Sequence, residues 1–314
     1  MMLMTRHGGG RLLRAVALAS AVALGVGATA LAAQAETAPV PSVQTAPFAS
    51  DRLSVEVIGS GPDVILIPGL VSSRDVWRPL AQRLSATHRV HMVQLAGFAG
   101  EPWLHGDGAF VAPAVEALAL YIQQAGLTRP AIIGHSMGAL VGLELAQNRP
   151  ELVGRLMSVD SLPFYSVLFG PGTTADSARP MAERAAAAMV AMEDDAFAAG
   201  QAQIAKGSTR NPEVQTDIVR WSIASDRRAM AAAFRDVMVT DARPGLAAMT
   251  LPVTAVYAAD VDGGTPPEMA EALWTQEYAA VPGVKLLRVD DSRHFIMADQ
   301  PERLGDLIDL FLAD

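Results

Sequence analysis

Short apolar segments alternate with longer segments of helical periodicity along most of the chain. The strand-like segments are residues 53–57, 64–67, 90–93, 130–133, 156–160, 253–257 and 285–289. Helical spacing of apolar residues is found at 77–84, 115–124, 139–146 and 301–311. Continuous apolar strands that alternate with amphipathic helices are typical of a parallel sheet covered by helices on both faces. The pattern therefore predicts an α/β fold with a doubly wound, mostly parallel sheet.

This alternation stops between residues 161 and 250. Four helical segments rich in Ala and Met occupy the stretch without a clear strand, at 179–192, 196–204, 213–224 and 226–238. A connection of this length and apolar character is too large for a loop within one sheet. We therefore predict a core formed by residues 51–160 and 251–314, with a helical cap inserted at 161–250.

The first 35 residues have the pattern of a secretory signal peptide. Three arginines precede an almost uninterrupted apolar run at 15–31, and small residues at positions 33 and 35 predict cleavage before Glu36. A retained membrane anchor is the alternative, but the run is shorter than the roughly 20 residues that a spanning helix needs. Residues 36–50, rich in Pro, Ala and Ser, are predicted to form a flexible leader. We therefore expect a mature protein without a membrane span, in the periplasm or secreted.

Composition narrows the possible chemistry. The 314-residue chain has no cysteine, which excludes cysteine nucleophiles, thiolate zinc sites and iron–sulfur clusters. Its net charge of −9, with no basic cluster in the predicted mature part, argues against nucleic-acid binding. No two histidines have the His-x-x-x-His spacing of a metal site. We therefore expect a small-molecule substrate and neither a metal nor an organic cofactor.

The strongest chemical signal is the pentapeptide Gly134-His135-Ser136-Met137-Gly138. It lies between a predicted strand and a predicted helix, which is the context of a nucleophile elbow. Side chains two positions before and after the serine would collide in so sharp a turn, so glycine is needed at both places. The turn exposes the serine hydroxyl at the positive N-terminal end of the following helix. Ser136 is the predicted nucleophile, and we expect His135 to pack or hydrogen-bond beneath the site.

Over residues 51–314 the chain resembles the α/β-hydrolase superfamily, and four segments carry the resemblance. Residues 64–77 are similar to the family's third-strand segment, with Pro68 in place of a histidine, and residues 95–100 resemble its glycine-rich loop, with Gln94 where aspartate is usual. The elbow is the third segment, and residues 291–301 resemble the catalytic-histidine segment. The resemblance is to small, often exported bacterial hydrolases with a helical cap, and it implies the α/β-hydrolase fold. A serine nucleophile points away from haloalkane dehalogenases and epoxide hydrolases, which use aspartate.

The resemblance places His294 in the loop that brings the catalytic base over the elbow. An imidazole accepts and returns a proton near neutral pH, which the weakly nucleophilic serine hydroxyl requires. The third member is a carboxylate that orients the imidazole. Asp260 is the predicted acid, because the family's acid usually follows the strand after the cap. Asp262 and Asp160 are the alternatives, and Asp160 ends the strand that follows the elbow.

Backbone N–H groups of Leu70 and Met137 are predicted to form the oxyanion hole. The aromatic and methionine side chains of the cap offer an apolar surface that suits an acyl chain or a hydrophobic ester. The sequence therefore predicts a serine hydrolase that cleaves a carboxylic ester or a related acyl bond through an acyl-enzyme. An acyltransferase or a C–C bond hydrolase with the same residues, and a catalytically silent binding protein, are the alternatives.

Overall fold

The computed structural model describes residues 44–45 and 48–313, and these contain an eight-stranded sheet. The predicted signal peptide at 1–35 and most of the predicted leader at 36–50 lie outside the described residues. The strands are β1 Gln44–Thr45, β2 Leu53–Gly59, β3 Asp63–Ile67, β4 Arg89–Leu95, β5 Ala131–His135, β6 Arg155–Val159, β7 Val253–Ala259 and β8 Lys285–Asp290.

The strands follow the order β1-β2-β4-β3-β5-β6-β7-β8 across the sheet. The pairs β1–β2 and β2–β4 are antiparallel, and every pair from β4–β3 to β7–β8 is parallel. Parallel neighbours need a crossover connection, and helices supply it between the strands. The prediction of a doubly wound, mostly parallel sheet is confirmed.

Ten α-helices accompany the strands in the described part of the chain. They are α1 Arg78–Leu84, α2 Val111–Gln124, α3 Met137–Asn148, α4 Ala175–Ala191, α5 Asp194–Ser208, α6 Pro212–Ala224, α7 Arg227–Val239, α8 Pro267–Tyr278, α9 Ile296–Asp299 and α10 Pro301–Ala313. Within residues 48–313, none of these helices combines the length and the apolar character needed to cross a membrane.

The central strand β5 is buried on both faces. Ile132 belongs to a hydrophobic cluster with Val141 of α3, whereas Ile133 belongs to a second cluster with Trp77 and Phe295 on the other face. Successive side chains of a strand point to opposite faces, so one strand contributes to both layers of the core. Burial of apolar surface is the main stabilising contribution here. The turn that follows β5 is therefore attached to a strand that is buried on both faces.

Four helices, α4 to α7, lie between β6 and β7, where the sequence predicts helical segments. Side chains cap three of them: Thr174 accepts a hydrogen bond from the first turn of α4, Asn211 from that of α6 and Asp226 from that of α7. Helix α4 packs on α7, and α5 packs on α6. We call these four helices and their connections the helical insertion. Its boundaries at 161 and 250 stay a prediction.

Helix α8 is missing from the sequence prediction. Its buried residues Ala270, Trp274 and Tyr278 recur at every fourth position, which is a helical spacing. Three glutamates, a threonine and a glutamine lie among the residues of this helix, so the segment has little overall apolar character. The sequence therefore indicates this helix through the spacing of its apolar residues and not through its composition.

Candidate active site

The candidate site lies at the carboxyl ends of the parallel strands. His135, the last residue of β5, pairs with Val159, the last residue of β6. Ser136 and Asp160 are the next residues, so they leave neighbouring strands side by side. Open parallel sheets bind ligands outside the carboxyl ends of their strands. The register of the sheet therefore brings a hydroxyl and a carboxylate to the usual binding edge.

The turn between β5 and α3 is sharp and strained. Ser136 has φ +52° and ψ −124°, a combination that a residue with a side chain rarely adopts. A β-carbon at Gly134 would lie 2.5 Å from the backbone of Ala139, and one at Gly138 would lie 2.5 Å from the carbonyl oxygen of Ile67. Both glycines are therefore required by close backbone approach, and the strand-to-helix turn that the pentapeptide predicts is present.

His294 follows β8 and is hydrogen-bonded to Asp160. The His294 Nδ1–Asp160 Oδ2 distance is 2.7 Å, and the other carboxylate oxygen of Asp160 accepts a hydrogen bond from the N–H of Ala258 at 2.9 Å. The N–H of Asp160 in turn donates to the carbonyl of Val256. A carboxylate oxygen only accepts, so Nδ1 of His294 carries a proton, and in the neutral ring the lone pair is on Nε2. This is the tautomer that accepts a proton at Nε2.

Asp260 does not occupy the position beside His294 that its place after β7 predicts. Its carboxylate oxygens accept hydrogen bonds from Arg210 at 2.7 Å and from Arg293 at 2.8 Å. Burial raises the pKa of Asp260, but the hydrogen bond from Arg293 and the charges of both arginines outweigh burial and hold the pKa below its ordinary value. The structure corrects the prediction: Asp160, one of the two alternatives, is the carboxylate that contacts His294.

The acidic residues after β7 take part in an ion-pair cluster between the helical insertion and the histidine loop. Asp262, whose side chain is 75 % exposed, lies 3.4 Å from Arg210. Asp299 accepts hydrogen bonds from the backbone N–H groups of Arg210 and Arg293. The cluster thus fixes the residue before His294 against the α5–α6 connection. In the part of the chain that the structure describes, no group of three or more His, Asp or Glu side chains is placed to hold a metal ion.

The sequence predicts that the backbone N–H groups of Leu70 and Met137 form the oxyanion hole. Met137 begins α3, so its N–H has no acceptor within the helix, and Leu70 lies in the loop after β3. No residue between 48 and 313 accepts a backbone hydrogen bond from either N–H. The side chain of Gln94 fixes the loop, since it accepts from the N–H of Arg74 and donates to the carbonyl of Ser72. Both donors are available, and their role in binding an oxyanion stays a prediction.

Two cavities open at the turn, and Ser136, Met137, Tyr165 and His294 line both of them. The insertion cavity, with a volume of about 360 Å³, extends under the helical insertion. Its other walls include Leu70, Met189, Ile218, Trp221, Met230 and Phe234. The α8 cavity, with a volume of about 390 Å³, extends towards α8. Its other walls include Asp160, Leu162, Ala258, Asp260, Leu273 and Trp274.

His135 lies beneath the site, as expected, and contacts the backbone of His294. Its Nε2 donates to the carbonyl of His294 at 2.9 Å, and the two ring centroids are 4.5 Å apart. Its Nδ1 is buried and has no hydrogen-bond partner among the described residues. Burial lowers the pKa of His135 well below its ordinary value, and the nearby charge of His294 acts in the same direction. His135 is therefore a neutral ring that supports the position of His294.

We expect the protein to lose stability as the pH falls below about 6.5, the ordinary pKa of histidine. Below that pH the unfolded chain binds a proton at position 135 and the folded chain does not. The free energy of unfolding therefore decreases as the pH is lowered. The loss amounts to at most about 1.4 kcal/mol per pH unit for each such histidine. His91, whose pKa is also lowered by burial, acts in the same direction.

Urea unfolding at pH 7.5, 6.5 and 5.5 checks this expectation. The variant His135→Gln keeps an N–H donor but cannot titrate, so its unfolding free energy should depend less on pH than that of the unaltered protein. Identical pH dependence in the two proteins would contradict a neutral buried His135.

A serine on a strand-to-helix elbow, beside a histidine–aspartate pair at the carboxyl edge of a parallel sheet, defines a class of α/β proteins. The chain belongs to the alpha/beta hydrolase family, whose model matches residues 64–307. This match covers the sheet from β3 to β8 and the helical insertion. The resemblance inferred from the sequence is therefore confirmed.

Two curated relatives have the same name. The pimeloyl-[acyl-carrier protein] methyl ester esterase of Aeromonas salmonicida is 34 % identical over 113 residues, which are 36 % of this chain and 43 % of that protein. Its counterpart in Aeromonas hydrophila is 36 % identical over 115 residues, with the same shares of 36 % and 43 %. The matched region spans less than half the length of these relatives.

Solved structures support the fold over more of the chain. The enol-lactonase from Burkholderia xenovorans LB400 has a TM-score of 0.69 at 16 % identity and covers 83 % of this chain and 96 % of its own. A hydrolase from Pseudomonas aeruginosa PA01 has a TM-score of 0.70 at 19 % identity and covers 88 % of this chain and all of its own. At these identities the likeness shows the fold alone.

Proposed function

We propose that the protein is a serine hydrolase that cleaves a carboxylic ester or a related acyl bond of a small molecule. One arrangement carries the proposal: Ser136, on its strained turn, lines the same cavities as His294, and His294 is held by Asp160. The relatives that are named esterases of a methyl ester support an ester as the bond that is cleaved.

In the proposed acylation step, the Oγ of Ser136 attacks the substrate carbonyl while Nε2 of His294 takes its proton. Asp160 orients the imidazole and stabilises the imidazolium that forms. The negative charge that develops on the carbonyl oxygen is stabilised by the N–H groups of Leu70 and Met137. The C–O bond of the ester then breaks, and the proton on His294 passes to the leaving alcohol.

In the proposed deacylation step, His294 takes a proton from water, and the hydroxide that results attacks the acyl-enzyme. The bond between the acyl group and Ser136 breaks, the proton returns to Oγ, and a carboxylic acid is released. The net reaction consumes one water and forms one acid and one alcohol. No metal or organic cofactor takes part.

The helical insertion is proposed to act as a cap that selects the acyl group, because it supplies most walls of the insertion cavity. The mostly apolar side chains there suit a hydrophobic acyl group. Export to the periplasm or the medium is a further proposal, supported by the pattern of residues 1–35. The intact mass of the protein isolated from its natural host, with Glu36 as first residue, would check it.

The experiment that tests the proposed function combines a substrate panel with a covalent probe. The purified protein is assayed on p-nitrophenyl acetate, butyrate and octanoate, on a lactone and on an anilide, and is treated with a fluorophosphonate. We expect turnover of at least one ester and covalent labelling of Ser136. Predominant transfer to an added alcohol would show an acyltransferase instead, and absence of both turnover and labelling would indicate a binding protein.

A further inference from the structure

The insertion cavity is mostly apolar, and a few polar side chains interrupt its walls. Its apolar lining includes Ile218 and Trp221 of α6 and Met230 and Phe234 of α7. Two lining serines, Ser72 and Ser208, donate their hydroxyls to backbone carbonyls. Two further polar residues of the helical insertion line the cavity, Gln201 of α5 and Ser222 of α6. No lysine, arginine, aspartate or glutamate lines this cavity among the described residues. Any specific polar recognition inside it must therefore come from uncharged groups.

Gln201 and Ser222 occupy inward-facing positions of their helices, where apolar side chains are usual. The buried face of α5 consists of Phe197, Gln201 and Ala205, so Gln201 is the middle residue of an inward stripe. The buried face of α6 includes Trp221 and Ser222. Gln201 is 8 % exposed and Ser222 is 0 % exposed. Neither side chain is on the face that contacts solvent.

Neither side chain has a hydrogen-bond partner within the described part of the protein. The hydroxyl of Ser222 is buried without a partner, and the amide of Gln201 makes no side-chain hydrogen bond to residues 48–313. Serine in a helix often donates to the carbonyl four residues earlier. Ser208 and Ser225 do so, to Ile204 and Trp221. Ser222 does not, so its hydroxyl is left without a partner.

Burial of a polar group without a partner is unfavourable, and such groups are retained mainly at functional sites. We propose that Gln201 and Ser222 recognise an uncharged oxygen substituent, a hydroxyl or an oxo group, on the acyl chain of the substrate. A glutamine amide and a serine hydroxyl both donate and accept, so either substituent is satisfied. The substrate class is then an ester of a hydroxyacyl or oxoacyl acid. This inference rests on the proposed function, since the acyl chain is placed by attack of Ser136.

Matched pairs of esters test the inference. Each pair consists of a p-nitrophenyl ester of a straight-chain acid and the ester with a hydroxyl or oxo group at one carbon, from the third carbon outwards. For at least one position we expect the oxygenated ester to have a kcat/KM about tenfold higher or more than its plain partner. A site built to bind a polar group loses affinity for analogues that leave its own groups unpaired.

Two variants and two matched controls assign the effect to the proposed residues. Ser222→Ala and Gln201→Leu should each lower kcat/KM for the preferred oxygenated ester by about tenfold and leave that for its plain partner unchanged or raised. Thr216→Ala removes a hydroxyl from an exposed position of α6, and Gln203→Leu removes an amide from an exposed position of α5. Both should leave kcat/KM unchanged for the oxygenated ester and for its plain partner. Thermal melting of all four variants verifies that they are folded.

The possible results separate this inference from the proposed function. Turnover of plain esters without preference for any oxygenated partner would overturn the inference and leave the hydrolase intact. Equal losses on both esters of a pair in Ser222→Ala and Gln201→Leu would show a structural role and would also overturn it. Absence of turnover on every ester, together with absence of fluorophosphonate labelling, would overturn the proposed function and the inference with it.

Discussion

Replacement of Ser136 by alanine is expected to lower kcat by about 10⁴- to 10⁶-fold with little change in KM, as for other serine nucleophiles that act with a histidine. The N–H groups of Leu70 and Met137, which we propose to bind the substrate carbonyl, are unchanged, so substrate binding should be retained while the covalent step is lost. Residual hydrolysis should reflect attack by water in the same cavity. Steady-state kinetics on the best ester of the panel provides the measurement.

A serine far from the site supplies the control for this substitution. Ser60 is exposed in the turn between β2 and β3, at the opposite end of the parallel strands. Ser60→Ala should keep kcat within about twofold, as surface substitutions away from functional features usually do. Ser136→Ala should also lose labelling by fluorophosphonate. Turnover by Ser136→Ala at the level of Ser60→Ala would refute the assignment of the nucleophile.

The fold could be predicted from the sequence because its strands are short, continuous apolar runs. Strands β3 and β5 are buried on both faces, so they have no alternating polar positions and stand out between helices. The four helices of the insertion could be predicted because no strand interrupts their spacing. Helix α8 could not be predicted, since its acidic and polar residues give the segment little overall apolar character.

The two local parts of the candidate site could also be predicted, because each depends on a short segment. The turn at Ser136 needs its two glycines, and His294 lies in a segment that resembles the family's histidine loop. The partner of the histidine depends instead on contacts between distant segments. Asp160 and Asp260 follow neighbouring strands at the same edge of the sheet, so the sequence left both open.

Two arginines distinguish these aspartates, and their positions depend on the tertiary structure. Arg210, in the α5–α6 connection, forms an ion pair with Asp260. Arg293, the residue before His294, forms a second ion pair with the same carboxylate. The arginine directly before His294 was the available sequence signal for a second carboxylate nearby. Gln201 and Ser222 gave no comparable signal, because polar residues in a helical segment are normally assigned to its solvent face.

Replacement of Asp160 by asparagine is expected to lower kcat by about 10³- to 10⁴-fold. The amide group keeps the shape of the carboxylate but can donate to Nδ1 of His294, which favours the tautomer with the proton on Nε2. That tautomer cannot accept the proton of Ser136. Asp260→Asn should lower kcat by less than about tenfold, because its partners are Arg210 and Arg293 and not His294.

The two variants separate a role in orienting His294 from a structural role, since both replace a mostly buried carboxylate by an amide of the same size. Asp260→Asn should lower the melting temperature, because the hydrogen bonds from two arginines lose their charged acceptor. Asp160→Asn should still be labelled by fluorophosphonate, but at a lower rate, because the nucleophile is no longer activated. A loss of kcat in Asp260→Asn as large as that in Asp160→Asn, in protein that melts at the same temperature, would return Asp260 to the position of catalytic acid.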